Sequence, residues 1–354
     1  MRLQQLGHMP LWIGNHVRAR DIPGEHLAPA AKPLLAQLDA LDLLDRNCHL
    51  AANVVFSAWG YPQLAERNSM VNLEGAGSVL DRGQFESDLR VLALQRGLKP
   101  LAFNITNARY NRGQWQITFD GMSEEIDYVI DATGRRALIA GKFSTRYNAD
   151  RLTAAVGYYR QIAGWDLAAT RATLIEATVS GWWYAALLPD RRLVLNYYSD
   201  TDLLPKRLRT DLSVWADMIG ASHNIRRWIS EAGFVIDRPP RIYNATSTWH
   251  MPCAGHGWIG IGDAAAAFDP LSSHGMTTAL WTAILGAEAA VAFLKGDREP
   301  SNRYIDKVAL GIQNFLESRS GIYGLERRFA KYPFWQRRQL SLSPDESKAP
   351  YSEP

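Results

Sequence analysis

Cysteine is nearly absent. The 354 residues include only Cys48 and Cys253, with no CxxC pair, which excludes a disulfide scaffold and a thiolate metal framework. The simplest compartment is then a reducing cytoplasm. An excess of one charge is also missing: 39 Lys and Arg stand against 36 Asp and Glu, a formal net charge of +3, and the basic residues are dispersed. A nucleic-acid partner is therefore not expected. No uninterrupted apolar run has the length of a membrane span, and Gln4, Gln5 and His8 stand where a signal peptide carries its apolar core. Neither export nor a membrane partner is expected. Internal repeats, a Ser-His-Asp set and a paired-carboxylate arrangement are also lacking, which suits an enzyme whose hard step belongs to a cofactor.

What is present is an ordinary globular composition, 47% hydrophobic and 21% charged, in a chain too long for one core, so two lobes are expected. Only the terminal "SPDESKAPYSEP" reads as disordered. The opening reads as a helix end, a Gly7 cap and a short strand at Met9 to Ile13. "PAAKPLLAQLDALDLL" has helical spacing, and "DRGQFESDLRVLALQRG" is an amphipathic helix with Asp81 at its N-cap and Gly97 at its end. Three strand-like runs follow: "KPLAFNITNARY", "GQWQITFD" and "EIDYVIDATG". The last is a buried parallel strand ending in small residues.

From about 150 to 250 the pattern turns to alternating strands, "TAAVGYYRQI", "TLIEATVSGWWYAALLP", "RRLVLNYYS" and "PRIYNATSTW". They predict an antiparallel sheet with one covered face, interrupted by the helical "LSVWADMIGASHNIRRWISEAG". The chain then returns with the strand "GWIGIGD" and ends in helices, among them Met276 to Leu294.

The chemistry concentrates at two strand ends. "DATG", Ala132, Thr133 and Gly134 included, and "GWIGIGD", ending in Gly262 and Asp263, both stop in small residues that let a ligand approach the backbone, as the cofactor-binding edges of open α/β sheets do. Asp263 reads either as an acceptor for polyol hydroxyls or as a cap on the next helix. In "DPLSSHGM", Pro270 stiffens a turn that leads through Ser273 and Gly275 into a helix at Met276, whose N-terminus suits the negative charge of a reduced flavin. His274, beside that glycine, reads as a substrate-orienting or proton-tuning group or as a helix N-cap.

These segments, with "GEHLAPAAKPLL", "LDRGQFESDL", "GWWYAALLP" and "RRFAKYPFWQRR", resemble in order and spacing the FAD-dependent monooxygenases of the tryptophan-halogenase-like group. The resemblance is nearest to flavoprotein maturases that hydroxylate tryptophan on a protein, and it covers nearly the whole chain. It implies FAD as cofactor, Asp263 on the ribitol, Arg82 near the FAD, and Gly24 with Glu25 approaching the flavin. Read alone, Arg82 is more readily an exposed helix residue. The family opens with a strand, a GxGxxG turn and a helix leading into "GH". Gly7-His8 fits that "GH", so the glycine turn is expected upstream of Met1 in a longer native protein, the alternative being a chain that lacks its pyrophosphate cradle. The literal match from Gly255 to Gly260 runs into a strand and reads as chance. Gly14 and Asn15 stand where an acidic residue is expected for the adenosine ribose.

Two departures separate the chemistries. Flavin halogenases of the group carry a lysine in a strand of the form "xIKFxxW", and here "NVVFSAW" puts Val55 at that position. The WxWxIP signature is loosened to Trp182, Trp183, Tyr184 and Leu188-Pro189. Trp182 and Tyr184 share one strand face and read as a wall for a flat substrate or as filling between sheet and helices.

The resulting expectation is an α/β flavoprotein: a Rossmann-like FAD lobe without its first βα unit (1–150, returning at 251–295), an inserted antiparallel substrate sheet (151–250), and C-terminal helices and tail (296–354). The expected reaction is monooxygenation of an electron-rich aromatic, either a small molecule or a peptide or protein tryptophan, with O2 and electrons from a separate flavin reductase or NAD(P)H. The alternatives are a flavin-dependent reductase or dehydrogenase, and a truncated non-catalytic remnant. Halogenation ranks lower.

Overall fold

The computed structural model describes residues 1–14, 23–68, 75–165 and 169–339. Asn15 and the C-terminal "SPDESKAPYSEP" lie outside them. The first lobe is built on short parallel pairs: Trp12–Ile13 beside Pro100–Leu101, and Val129–Asp131 beside Trp258–Gly260. Gly255 pairs with Trp258 across a hairpin, so the literal glycine motif there shapes a strand turn and opens no helix. Helix Arg82–Gln95 starts where the sequence predicts, with the Asp81 side chain accepting from the Gln84 N–H at 2.9 Å. It stops before Gly97, whose φ of +91° supplies the left-handed cap.

The central element is an eight-stranded sheet, and it differs from the sequence expectation in three ways. "TLIEATVSGWWYAALLP" is a hairpin of Thr173–Thr178 and Gly181–Leu187 rather than one strand. The sheet also recruits Val54–Ala58, from the first 150 residues, parallel to Thr173–Thr178, so the lobes interleave. Finally, both faces are covered. All of Leu193–Asp200 is buried. Trp182 and Tyr198 pack against Tyr323, Phe334 and Trp335 on one side, while Trp183 and Leu195 pack against Trp215, Ile219 and Ile225 on the other.

Two charged residues of these strands, Glu176 and Asp200, are buried with partners. Glu176 accepts the backbone N–H groups of His223, Asn224 and Ile225, where its negative charge also meets the positive end of helix Asn224–Glu231. Asp200 pairs with Arg338 at 2.6 Å and Arg337 at 2.8 Å.

Helix Gly275–Leu294 bears on the expectation of no membrane span, and Glu288 interrupts its apolar run. By length and composition it is apolar enough to cross a membrane. Here its small residues Gly286, Ala287, Ala289 and Ala290 are buried, it packs on helix Glu299–Gly324, and Glu288 pairs with Arg2.

Candidate functional site

The ends of the parallel strands Val129–Asp131 and Trp258–Gly260 set the site. Asp131, fully buried, accepts from the Thr133 N–H and hydroxyl through one oxygen and from the Ile139 and Ala140 N–H groups through the other, at 2.6–3.0 Å. That carboxylate fixes the Ala132–Gly134 turn. Gly134 has φ +62° and open space where a Cβ would stand, so the turn presents bare backbone. On the neighbouring strand Gly262, with φ +56°, donates its N–H to the Thr282 hydroxyl at 2.8 Å, tying the strand end to the long helix.

Asp263 caps no described helix. Its carboxylate sits 3.6 Å from the Arg135 guanidinium with 42% of the side chain accessible. Burial raises its carboxyl above the usual range, with Arg135 and then Arg82 opposing. The capping duty belongs to Asp269, which accepts from the Leu271 N–H at 3.0 Å and from the Tyr323 hydroxyl at 2.8 Å, and pairs with Arg319 at 3.4 Å.

Arg82 is not a free helix residue. It donates through Nη1 to the carbonyls of Pro23 (2.8 Å) and Gly24 (3.1 Å), and a Cβ on Gly24, at φ +94°, would lie 2.8 Å from that nitrogen. The clamp orders Gly24 and presents Glu25, which is 3% exposed and has its Oε1 unpartnered. Burial pushes the Glu25 carboxyl up to about 7, with hydrogen bonding by backbone N–H groups and the charge of Arg82 opposing.

His274 precedes helix Gly275–Leu294, and its side chain makes no cap hydrogen bond. It is near enough to His26 to add to the burial that lowers the His26 pKa. Pro270 opens a 3-10 turn, Ser273 ends it in the left-handed region, and nothing crowds Gly275, leaving the helix N-terminus open. Met276 anchors that end on the Leu27, Leu35 and Phe85 core. Arg82 thus ties down the Gly24–Glu25 turn and lies near enough to Asp263 to act on its charge, while Gly262 is tied to the helix that His274 precedes.

The aromatic pair divides. Trp182 is a core residue: 1% exposed, stacked on Tyr198 with centroids 4.2 Å apart, and donating its Nε1–H to Tyr323. Neither face nor edge is left for a substrate. Tyr184 shares its sheet face, but its hydroxyl is buried with no hydrogen bond of full geometry, beside Thr173 and close enough to Glu25 for their charges to interact. Val55 lies within the sheet, opposite Thr173 and Arg67. Sequence reading missed Arg135, His26 and Asn196. The one available signal was a lone polar Asn196 among apolar neighbours in "LVLNYY".

No protein-family model matches the chain. It is similar to LodB of Marinomonas mediterranea, a proposed FAD-dependent oxidoreductase, at 26% identity over 335 residues, covering 89% of this chain and 86% of that one. Among solved structures it superposes on the myxobacterial chondrochloren halogenase CndH, an FAD-dependent halogenase, with TM-score 0.84 and 18% identity over 98% of this chain and 84% of the other. It also superposes on the peptidyl tryptophan dihydroxylase QhpG of tryptophylquinone biogenesis, with TM-score 0.76 and 21% identity over 96% and 74%. The fold is that of the FAD-dependent halogenases and their oxygenase relatives, as the motif resemblance implies.

Proposed function

We propose that this chain is an FAD-dependent monooxygenase that places one oxygen atom of O2 on an electron-rich aromatic substrate, a small molecule or a tryptophan side chain of a peptide or protein. The observation that carries the reading is the convergence of the Gly24–Glu25 turn, Arg82, Asp263 and the open helix end after His274 on one sheet edge. Three features fit FAD: bare strand ends at Gly134 and Gly262, an Asp263 carboxylate with no capping duty, and a buried, unpartnered Thr277 Oγ1. Asp263 would hold the ribityl hydroxyls, and the Gly275 helix end would hold the pyrimidine edge, where its partial positive charge favours an anion. Bound there, FAD would supply electron storage and the activation of O2.

The chain's own part is to order the turn through Arg82, to exclude water with the packed sheet face, and to present Tyr184 and Glu25 to the substrate. The names of LodB and QhpG support this reading. Halogenation is disfavoured because Val55 has no amine to offer where the resemblance places a lysine. The two described cysteines are free thiols, which supports work in a reducing cytoplasm.

Stopped-flow absorbance tests the reaction class. With the protein loaded with FAD, the reading expects no flavin reduction by the aromatic substrate under anaerobic conditions. After reduction by NAD(P)H or a flavin reductase, it expects O2 uptake linked to that substrate. Anaerobic reduction of the flavin by the substrate itself would establish a dehydrogenase instead.

A further inference from the structure

The sheet face opposite the flavin-side turn holds more buried acceptors than it satisfies. Tyr184 and Asn196 are cross-strand partners, as are Trp182 and Tyr198, so all four project from one face. Asn196 is 1% exposed, and its Nδ2 donates to the Tyr198 hydroxyl at 3.2 Å, which leaves Oδ1 without a partner. Glu25 Oε1 and His26 Nδ1 are likewise buried and unpartnered, and the buried Tyr184 hydroxyl has only the Thr173 side chain beside it. Glu25 directly precedes His26, which pairs with Val79, and Val79 packs in the cluster that holds Trp182, Tyr184 and Tyr198, which places Glu25 beside this part of the sheet.

A buried polar atom without a partner costs about 1–3 kcal/mol. A group of them is retained where something else completes it. Asn196 Oδ1 only accepts, and the Glu25 carboxylate only accepts once it has lost its proton, so above about pH 7 the missing member is a donor. A water can fill the place in the resting protein.

We infer that Glu25 and Asn196 form a donor-binding subsite that selects aromatic substrates carrying a ring N–H or O–H and fixes the ring's orientation, with the Tyr184 hydroxyl completing the set. The inference rests on the monooxygenase reading for the word substrate, but the subsite itself is a property of these side chains. It makes Glu25 and Asn196 specificity residues: a ring whose donor is methylated would leave two buried acceptors unsatisfied, a larger penalty than the added methyl alone.

The test compares indole with 1-methylindole, and phenol with anisole, by calorimetric titration of the protein with and without added FAD, while bound flavin is read separately from its absorbance. The donor-bearing member of at least one pair is expected to bind about tenfold or more tightly. That preference should fall to about twofold or less in Glu25→Leu and in Asn196→Leu, and survive in part in Glu25→Gln, which keeps an acceptor oxygen. Flavin content should be unchanged in Asn196→Leu. Equal binding within both pairs, no binding of any probe, or a preference untouched by both leucine variants overturns the inference. Absence of bound flavin counts against the functional reading alone, since the donor preference is measured without FAD as well.

Discussion

Asp263 and Asp269 belong to the same glycine-rich segment, yet their surroundings give them different work. Asp269 is 1% exposed and tied to Arg319, Tyr323 and the Leu271 N–H, so truncation leaves a buried cation and a hydroxyl without their partner. Asp269→Ala is expected to cost about 3–5 kcal/mol of stability. Asp263→Ala, at a partly open ion pair, should cost under about 1 kcal/mol. Urea unfolding of the two variants checks the contrast, and equal midpoints would refute it. Glu25 adds a pH dependence. Its carboxyl is raised from 4.5 to about 7 in the folded chain, so the folded state holds the proton more tightly than the unfolded one. Stability from this group is greatest at or below pH 4.5 and falls as pH rises to about 7, by about 3 kcal/mol in all. Replacing it by a neutral isostere removes that slope. Between pH 5 and 7.5 the melting temperature of Glu25→Gln, in the absence of ligand, should gain on the wild type, and a constant difference would contradict the assignment.

Elements with local punctuation were legible in the sequence. The Asp81 cap and the Gly97 stop mark helix Arg82–Gln95 almost to the residue, and "DPLSSHG" marks the turn into Gly275–Leu294. The hairpin at Val179–Ser180 carried one mark, Ser180 followed by Gly181, which the apolar runs on either side obscured. The parallel insertion of Val54–Ala58 was hidden because a long-range strand partner leaves no local mark. The second cover of the sheet was hidden too, since it comes from the far C-terminus. Helix Pro333–Gln339 brings Phe334 and Trp335 onto the sheet, with Arg338, 3% exposed, bonded through Nη2 to Asp200 at 2.6 Å. Arg338→Ala should therefore lower stability by up to about 3 kcal/mol, since buried Asp200 would keep only the partly exposed Arg337, whereas replacing a surface arginine such as Arg227 should leave the unfolding midpoint nearly unchanged. Chemical denaturation of both variants measures the difference, and a small effect at Arg338 would mean the terminal helix is only loosely docked.

At the scale of the whole molecule, segments far apart in the chain meet at one sheet edge, and the sequence named most of them. Asp263, Arg82, Gly24 and Glu25 came from the motif resemblance, and the structure supplies what spacing does not carry: that Arg82 reaches across to clamp Gly24 and lies near enough to Asp263 to oppose its protonation. It also separates Tyr184, whose buried hydroxyl has only Thr173 and Glu25 near it, from Trp182, whose indole is consumed by packing. Equilibrium titration with FAD, read from the shift of the flavin absorbance, is the most direct measurement of the claim that this edge is the flavin site. The wild type should bind FAD. Asp263→Ala and Arg82→Ala should each bind about ten- to a hundredfold more weakly while keeping the wild-type circular dichroism, the loss of one charged hydrogen bond being worth about 1.5–3 kcal/mol. Unaltered FAD affinity in both variants, or no FAD binding by the wild type, would contradict the account.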